Sequence, residues 1–199
     1  MIHPNIRIQY INDTIGYGVF ATRMIPKGSA VYVKDSLEIE IRNSDLKNHS
    51  PEMQTLIEKY SYMDERGIRV ISWDLAKYVN HCCNANTLST AYGFDIAVRD
   101  IQEGEELTCD YGMLNVSEEM PLVCNQVGCR KVLKPSDFET CAVEWEAKVK
   151  AAIQHFMEVE QPLLAFIEED NFEALMEFFY DPAAYRSVRN LRFKEGVLI

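Results

Sequence analysis

Two polar runs constrain this chain more than anything else in it, because neither can serve as ordinary core. The first is Tyr78-Val79-Asn80-His81-Cys82-Cys83-Asn84-Ala85-Asn86, a dense succession of amide, imidazole and thiol side chains that follows an apolar segment. Buried polar groups each need a partner, so such density points to a site. The second run is Gly104-Glu105-Glu106-Leu107-Thr108-Cys109-Asp110-Tyr111-Gly112. It ends a strand-like segment on a tyrosine followed by glycine, which sets a phenol where the backbone can turn sharply. Gly16-Tyr17-Gly18-Val19-Phe20-Ala21 adds a third element near the N-terminus, where the glycines let main chain approach a ligand or simply turn. This is not the six-residue dinucleotide fingerprint. The three elements point to one composite pocket.

Composition narrows the class. The chain has 199 residues, 47% hydrophobic and 26% charged, long enough for a proper core and too apolar for disorder. No apolar run approaches the ~18 residues that cross a bilayer. Met1-Ile2-His3-Pro4-Asn5 lacks a basic region followed by an apolar one, so no signal peptide is visible and an intracellular place, nuclear or cytoplasmic, is expected. A net charge of −11 argues against wrapping nucleic acid and suits a cationic partner such as a Lys-rich peptide. The six cysteines, in such a compartment, speak for thiols or metal over disulfides.

Periodicity predicts an α+β fold. Ile6 to Tyr10, Val19 to Ala21, Ala30 to Val33, Leu37 to Ile41, Gly67 to Ile71 and Phe94 to Val98 read as short strands punctuated by turns, hence small sheets. The alternation of Leu37 to Ile41 predicts one buried face. Ser50-Pro51-Glu52 reads as a capped helix start, with Met53, Leu56, Ile57 and Tyr60 at helical spacing. Pro121 to Lys134 is loop-like. From Pro135 the pattern turns helical, with an apolar stripe of Phe138, Ala142, Trp145, Val149, Ala152, Ile153 and Phe156. Asn171 to Tyr180 and Ala183 to Phe193 read as two further short helices.

With these runs in hand, the chain resembles the SET-domain protein lysine methyltransferases, which show a GxG opening, an NHSCxPN-like run and an ELxxDY-like close in that order. Here they are Gly16-Tyr17-Gly18, Asn80 to Asn86, and Glu106-Leu107-Thr108-Cys109-Asp110-Tyr111, with Cys82 for the usual Ser and Ala85 for the usual Pro. The resemblance implies a β-rich SET fold of small sheets with a pseudoknot-like closure, followed by a helical C-terminal extension. It divides the chain into a catalytic part at residues 1–115 (variable insert about 43–70), a post-SET-like Cys loop at 116–134 and the extension at 135–199. That extension packs on the core or forms a homodimer surface.

The resemblance also implies S-adenosylmethionine as methyl donor and a Lys-containing protein, histone tails among them, as acceptor. Gly16, Tyr17, Gly18, Asn80, His81 and Tyr111 become cofactor-binding residues, with His81 acting through its backbone. Tyr111 becomes the catalytic phenol, and Tyr62 and Cys109 walls of the lysine channel. The acceptor amine must be neutral, although a free lysine has a pKa of about 10.4, and burial beside a cation lowers it. Cys109 stands where many relatives carry Phe or Tyr, and its small size implies methylation beyond one group. Relatives bind zinc through a CxCxxxxC run and the Cys of the NHSC-like run. The matching thiols here are Cys83, Cys124 and Cys129, with Leu122 in place of the first Cys and Cys82 or Cys141 open as a fourth ligand. The competing readings are a catalytically inactive SET-fold binding module and a Cys hydrolase using Cys82 or Cys83 with His81. Such partners normally lie far apart in sequence.

Overall fold

The computed structural model of the chain describes residues 1–124 and 126–194; the last five residues of the expected 135–199 extension, and Asn125 within the thiol loop, lie outside the described residues. The strands are β1 (Ile6–Asn12), β2 (Gly16–Ala21), β3 (Ala30–Val33), β4 (Ile39–Arg42), β5 (Ser61–Met63), β6 (Ile68–Ile71), β7 (Asn80–His81), β8 (Thr87–Ser89), β9 (Phe94–Ala97), β10 (Glu106–Cys109), β11 (Met120–Pro121) and β12 (Val132–Leu133). The α-helices are α1 (Asn43–Leu46), α2 (Pro51–Tyr60), α3 (Asp137–Ile153) and α4 (Glu169–Tyr180). The fold class is α+β, and the strands form small sheets in the orders β1-β2-β10-β7, β3-β9-β8, β4-β6-β5 and β11-β12.

The first sheet positions the site. Asn12 takes the N–H groups of Thr14 and Ile15 on its side-chain oxygen, both at 2.9 Å, and Gly16 at φ +83° turns the chain into β2. The closing strand β10 then enters from far along the sequence. It lies antiparallel to β2, with Leu107 opposite Val19, and parallel to β7, with Thr108 opposite Asn80 and Cys109 opposite His81. Thus all three motifs meet along one strand.

In the insert, Ser50 accepts from the Met53 N–H at 3.3 Å and Pro51 opens α2, as its sequence requires. Of the helix's apolar positions only Ile57 is buried; Met53 and Leu56 stay 46% and 47% exposed. The expected buried face of Leu37 to Ile41 is also absent, since Leu37 and Ile39 are 61% and 51% exposed. Both elements border a cleft, with β4 an edge strand of the β4-β6-β5 sheet. Buried Asp64 holds this rim together, accepting from the backbone N–H of Ile68 at 2.9 Å, from Arg66 Nε at 2.9 Å and from Lys34 Nζ at 3.2 Å.

The expected apolar stripe of the helical third is entirely buried. Phe138, Ala142, Trp145, Val149, Ala152 and Ile153 on α3, then Phe156, pack with Val33, Leu88, Phe94, Ile96 and Met113 in a single core. The sequence boundary near 113–120 is therefore no boundary in packing. Gly28 shows how close the approach is: a Cβ there would lie 2.7 Å from His155 Cβ. Because α3 spends its stripe on its own chain, a second copy would find only residues outside it, such as Val143, 71% exposed. The segment Ala183 to Phe193 departs from expectation. It forms only two 3₁₀ turns, Pro182–Ala184 and Val188–Leu191. Tyr185 breaks the helix by extending into the core against Phe178, at 5.1 Å between ring centres, and Ser187 caps the second turn.

Trp145 is 3% exposed, packs edge-on against Phe138 of the same helix and joins α3 to the Gly112 turn. Trp145→Ala should cost about 3–5 kcal/mol of unfolding free energy, read from urea denaturation at unchanged slope. A loss below about 1 kcal/mol would mean the helical third is not part of the core.

Candidate active site

Asn80 ties together the residues expected to hold a cofactor. Its Nδ2 donates to the Tyr17 carbonyl at 3.0 Å and to Glu106 Oε1 at 2.8 Å, tying β7 to β2 and β10. A Cβ on Gly18 would meet Glu106 Oε1 at 2.5 Å and Asn80 Nδ2 at 3.0 Å. The absence of a side chain there thus serves the protein's own packing. Gly16 has open space around its Cα, and the Tyr17 ring is half exposed. Asn80 Oδ1 has no donor among the described residues, so one acceptor remains free beside Glu106. A methionine-type ammonium and a sulfonium are cations, and this neutral-to-acidic acceptor set fits them.

Tyr111 joins this side to a cleft. Its backbone N–H donates to His81 Nδ1 at 3.2 Å, and its phenol donates to the Val79 carbonyl at 2.9 Å. Burial pushes the phenol well above its ordinary range, with Cys109 and Glu106 acting in the same direction. It is neutral at any working pH. On its other side a cleft of ≈ 1380 Å³ is lined by Tyr111, Cys109 and Tyr62, while Gly16, Tyr17, Gly18, Asn80 and His81 stand outside its lining. Tyr111 thus touches His81 and Val79 and lines the cleft with Cys109 and Tyr62, while Tyr17 and Gly18 are held one step away, against Asn80.

Several residues at the site carried no assigned role in the sequence. Asn86 acts as a side-chain strand for β10, taking the Thr108 N–H at 2.8 Å and donating to the Glu106 carbonyl at 2.8 Å. Asp110, 4% exposed, takes the Gly112 N–H at 3.0 Å on Oδ1, Trp145 Nε1 at 3.1 Å on Oδ2, and the Arg130 guanidinium. A buried charge so placed needs such compensation. The one sequence signal was an Asp directly before the motif's Tyr; nothing in the letters named Trp145 or Arg130 as its partners.

The thiols also converge. Sγ atoms of Cys83, Cys124 and Cys129 all lie within 4.8 Å of one another, and Cys83 and Cys129 are 3.8 Å apart. Backbone N–H groups of Arg130 and Lys131 point at Cys83 and Cys129, at 3.5 and 3.3 Å. Burial pushes the Cys124 thiol up, but the N–H groups of Cys83 and Gln126 outweigh it, with Cys129 and Cys82 helping, and the thiol lies below its ordinary range. This donor set fits a thiophilic cation such as zinc. Cys82 stands beside Cys124 but outside the mutual cluster, and Cys141 accepts from Arg130 at 3.3 Å, so neither completes a closed set. His81 Nε2 lies 3.3 Å from Cys83 Sγ, closer than the sequence separation suggested. Since His81 Nδ1 already accepts the Tyr111 N–H, the ring's proton sits on Nε2 and is donated to sulfur. In that tautomer the imidazole cannot take a proton from Cys83, which removes the hydrolase reading for that thiol.

Comparison with known proteins agrees with the geometry. Residues 16–112 match the SET domain family. That match and the curated relatives make the chain similar to the SET-domain protein lysine methyltransferases. It is similar to Histone-lysine N-methyltransferase trr of Drosophila melanogaster, 29% identical over 130 residues, 58% of this chain and 5% of that one. It is also similar to Histone-lysine N-methyltransferase ASHH3 of Arabidopsis thaliana, 37% identical over 70 residues, 31% of this chain and 19% of the relative. ASHH4 of the same plant is 26% identical over 185 residues, 81% of this chain and 49% of its own length. The chain thus spans less than half the length of these curated relatives.

Asp110→Ala would strand the Trp145 N–H and leave the Arg130 guanidinium with Asp137, at 3.3 Å, as its remaining carboxylate partner. The expected cost is roughly 3 kcal/mol of stability, measured by chemical denaturation, with Arg130→Met recovering part of it in the double variant.

Proposed function

We propose that this protein transfers a methyl group from S-adenosylmethionine to a lysine side chain of a protein, with histone tails as the substrate class and a chromatin setting as the consequence. The observation that carries the reading is Tyr111, whose main chain and phenol are fixed to the His81 and Val79 side while its ring lines the cleft. In this reading residues 1–115 do the chemistry, 43–70 shape the cleft, 116–134 present the thiols and 135–199 complete the core.

Gly16, Tyr17, Gly18, Asn80, His81 and Tyr111 would hold the cofactor, which supplies a methyl group on a cationic sulfur. Asn80 Oδ1 would accept from its amino group, and main chain at Gly16 to Gly18 and His81 would orient the rest. The chain's own task is alignment and dryness. A phenol held neutral by burial can orient an amine without adding charge. Cys109 and Tyr62 bound the space that the amine's alkyl stem would fill. Zinc, bound by Cys83, Cys124 and Cys129 with an exchangeable fourth position, would pin the thiol loop against His81.

A labelled-cofactor assay on core histones tests the reading, with Tyr111→Phe expected to lower turnover roughly a hundredfold, the scale of a reacting group misplaced by about 1 Å. An unaltered rate would remove Tyr111 from catalysis. Mass spectrometry of the product should show di- or trimethyl-lysine from the wild type and a narrower, monomethyl product from Cys109→Phe. Elemental analysis of protein purified without chelator should find stoichiometric zinc that Cys129→Ser loses. Metal-free wild-type protein of full stability would leave the thiols as buried hydrophobes.

A further inference from the structure

Asp95 lies on β9, the central strand of the β3-β9-β8 sheet. Phe94 and Ile96 on either side of it are 2% and 0% exposed and belong to the core, so strand alternation turns Asp95 to the opposite face. Its register partners Tyr32 on β3 and Ser89 on β8 share that face. All three line the cleft, with Tyr62, Cys109 and Tyr111. A carboxylate therefore stands in the cleft wall that also carries Tyr111, close enough for its charge to act on Tyr62 and Cys109.

Among the described residues no Lys, Arg or His forms an ion pair with it. The nearby cation on β3's side, Lys34, is taken by Glu40 at 3.0 Å and Asp64 at 3.2 Å. The other groups that bear on Asp95 are the Ser89 hydroxyl, the phenols of Tyr32 and Tyr62, the Cys109 thiol and, at longer range, the amino group of Met1, which Asp35 holds at 2.7 Å. Burial pushes the Tyr62 phenol and the Cys109 thiol upward, and the Asp95 charge adds to both, so these neighbours stay neutral. Burial also pushes Asp95 up to about 6, against the Ser89 hydrogen bond and the Met1 amino group. An unpaired carboxylate in such a place is costly unless a ligand brings the missing positive charge.

We propose that Asp95 receives the side-chain ammonium of the substrate lysine and takes up its proton before methyl transfer. The inference rests on the function proposed above and adds the group that solves its protonation problem. An N–H bond of the ammonium breaks with its electron pair left on nitrogen, an O–H bond forms on the Asp95 carboxylate, and the proton then leaves to water in the open cleft. Burial lowers the lysine from about 10.4 and raises the carboxylate; the attraction between the paired charges opposes both shifts, so loss of the proton to water completes the transfer. Asp95 would thus touch the reacting amine, whereas Tyr111 orients it.

The test has two arms. In the first, N-acetyl-lysine methylamide and its uncharged norleucine counterpart are titrated into the protein, following the side-chain carboxyl carbon resonance that Asp95→Asn deletes. The lysine ligand should move that resonance and lower its titration midpoint by about one unit; the norleucine ligand should do neither. In the second, kcat/KM on core histones is measured against pH. The wild type should rise through a limb near 6. Asp95→Asn should lose the limb and run at least tenfold slower at neutral pH, the deficit narrowing as alkaline pH frees the amine itself. Asp95→Glu should restore the limb in part. A structural role alone would lower the rate evenly at every pH, and that result, or equal response to both ligands, would overturn the proposal. If wild type methylates no histone, the histone reading fails, and the ligand arm still decides for or against Asp95.

Discussion

Asp110 is the contact on which the rest of the structure leans. Its carboxylate is 4% exposed and sits between the closing strand and everything that follows it in sequence. One oxygen takes Gly112 N–H and the Arg130 guanidinium, the other Trp145 Nε1. Through those bonds the Tyr111 turn is joined to the thiol loop and to α3. A carboxylate so buried is tolerable only when fully compensated, which makes the helical third a structural requirement of the site. Gly112 adds a steric condition, since a Cβ there would press on the Trp145 ring at 3.0 Å.

Around that anchor the site has two faces with different chemistry. On one, main chain and amides dominate: Asn80 bridges Tyr17 and Glu106, and Asn86 replaces a missing strand beside β10. On the other, phenols, a thiol and one carboxylate line an open cleft. Tyr111 is shared by both because a parallel pairing of only two residues, Thr108 with Asn80 and Cys109 with His81, sets the strand beneath it. His81 lies against both Cys83 and the Tyr111 main chain, so the thiol cluster and the position of Tyr111 are linked through one imidazole.

Much of the fold was legible in the letters where local rules govern. The Ser50-Pro51 helix start, the β1–β2 hairpin and the α3 stripe follow from caps, turn residues and period, and the structure keeps them. Alternation misled at Leu37 to Ile41, because period reports which residues could share a face and not whether another layer covers it. Helical spacing misled at Ala183 to Phe193, where burial of Tyr185 outweighed helix propensity. The boundary near 113–120 was a change of composition that packing ignores.

By itself the sequence determined which chemical groups the protein possesses and in what order: glycines that permit a turn, an Asn-His step, a terminal phenol, six thiols and a net negative charge. Side-chain identity and spacing act locally, so they survive without coordinates. Only the tertiary structure decided who faces whom. Asp110 with Trp145, Cys83 with Cys129, and Asp95 with Tyr62 and Cys109 are partnerships across long stretches of chain, fixed when sheets and helices close on one core. A residue's charge is written in the sequence; whether that charge is met, shielded or left waiting depends on the neighbours that folding supplies.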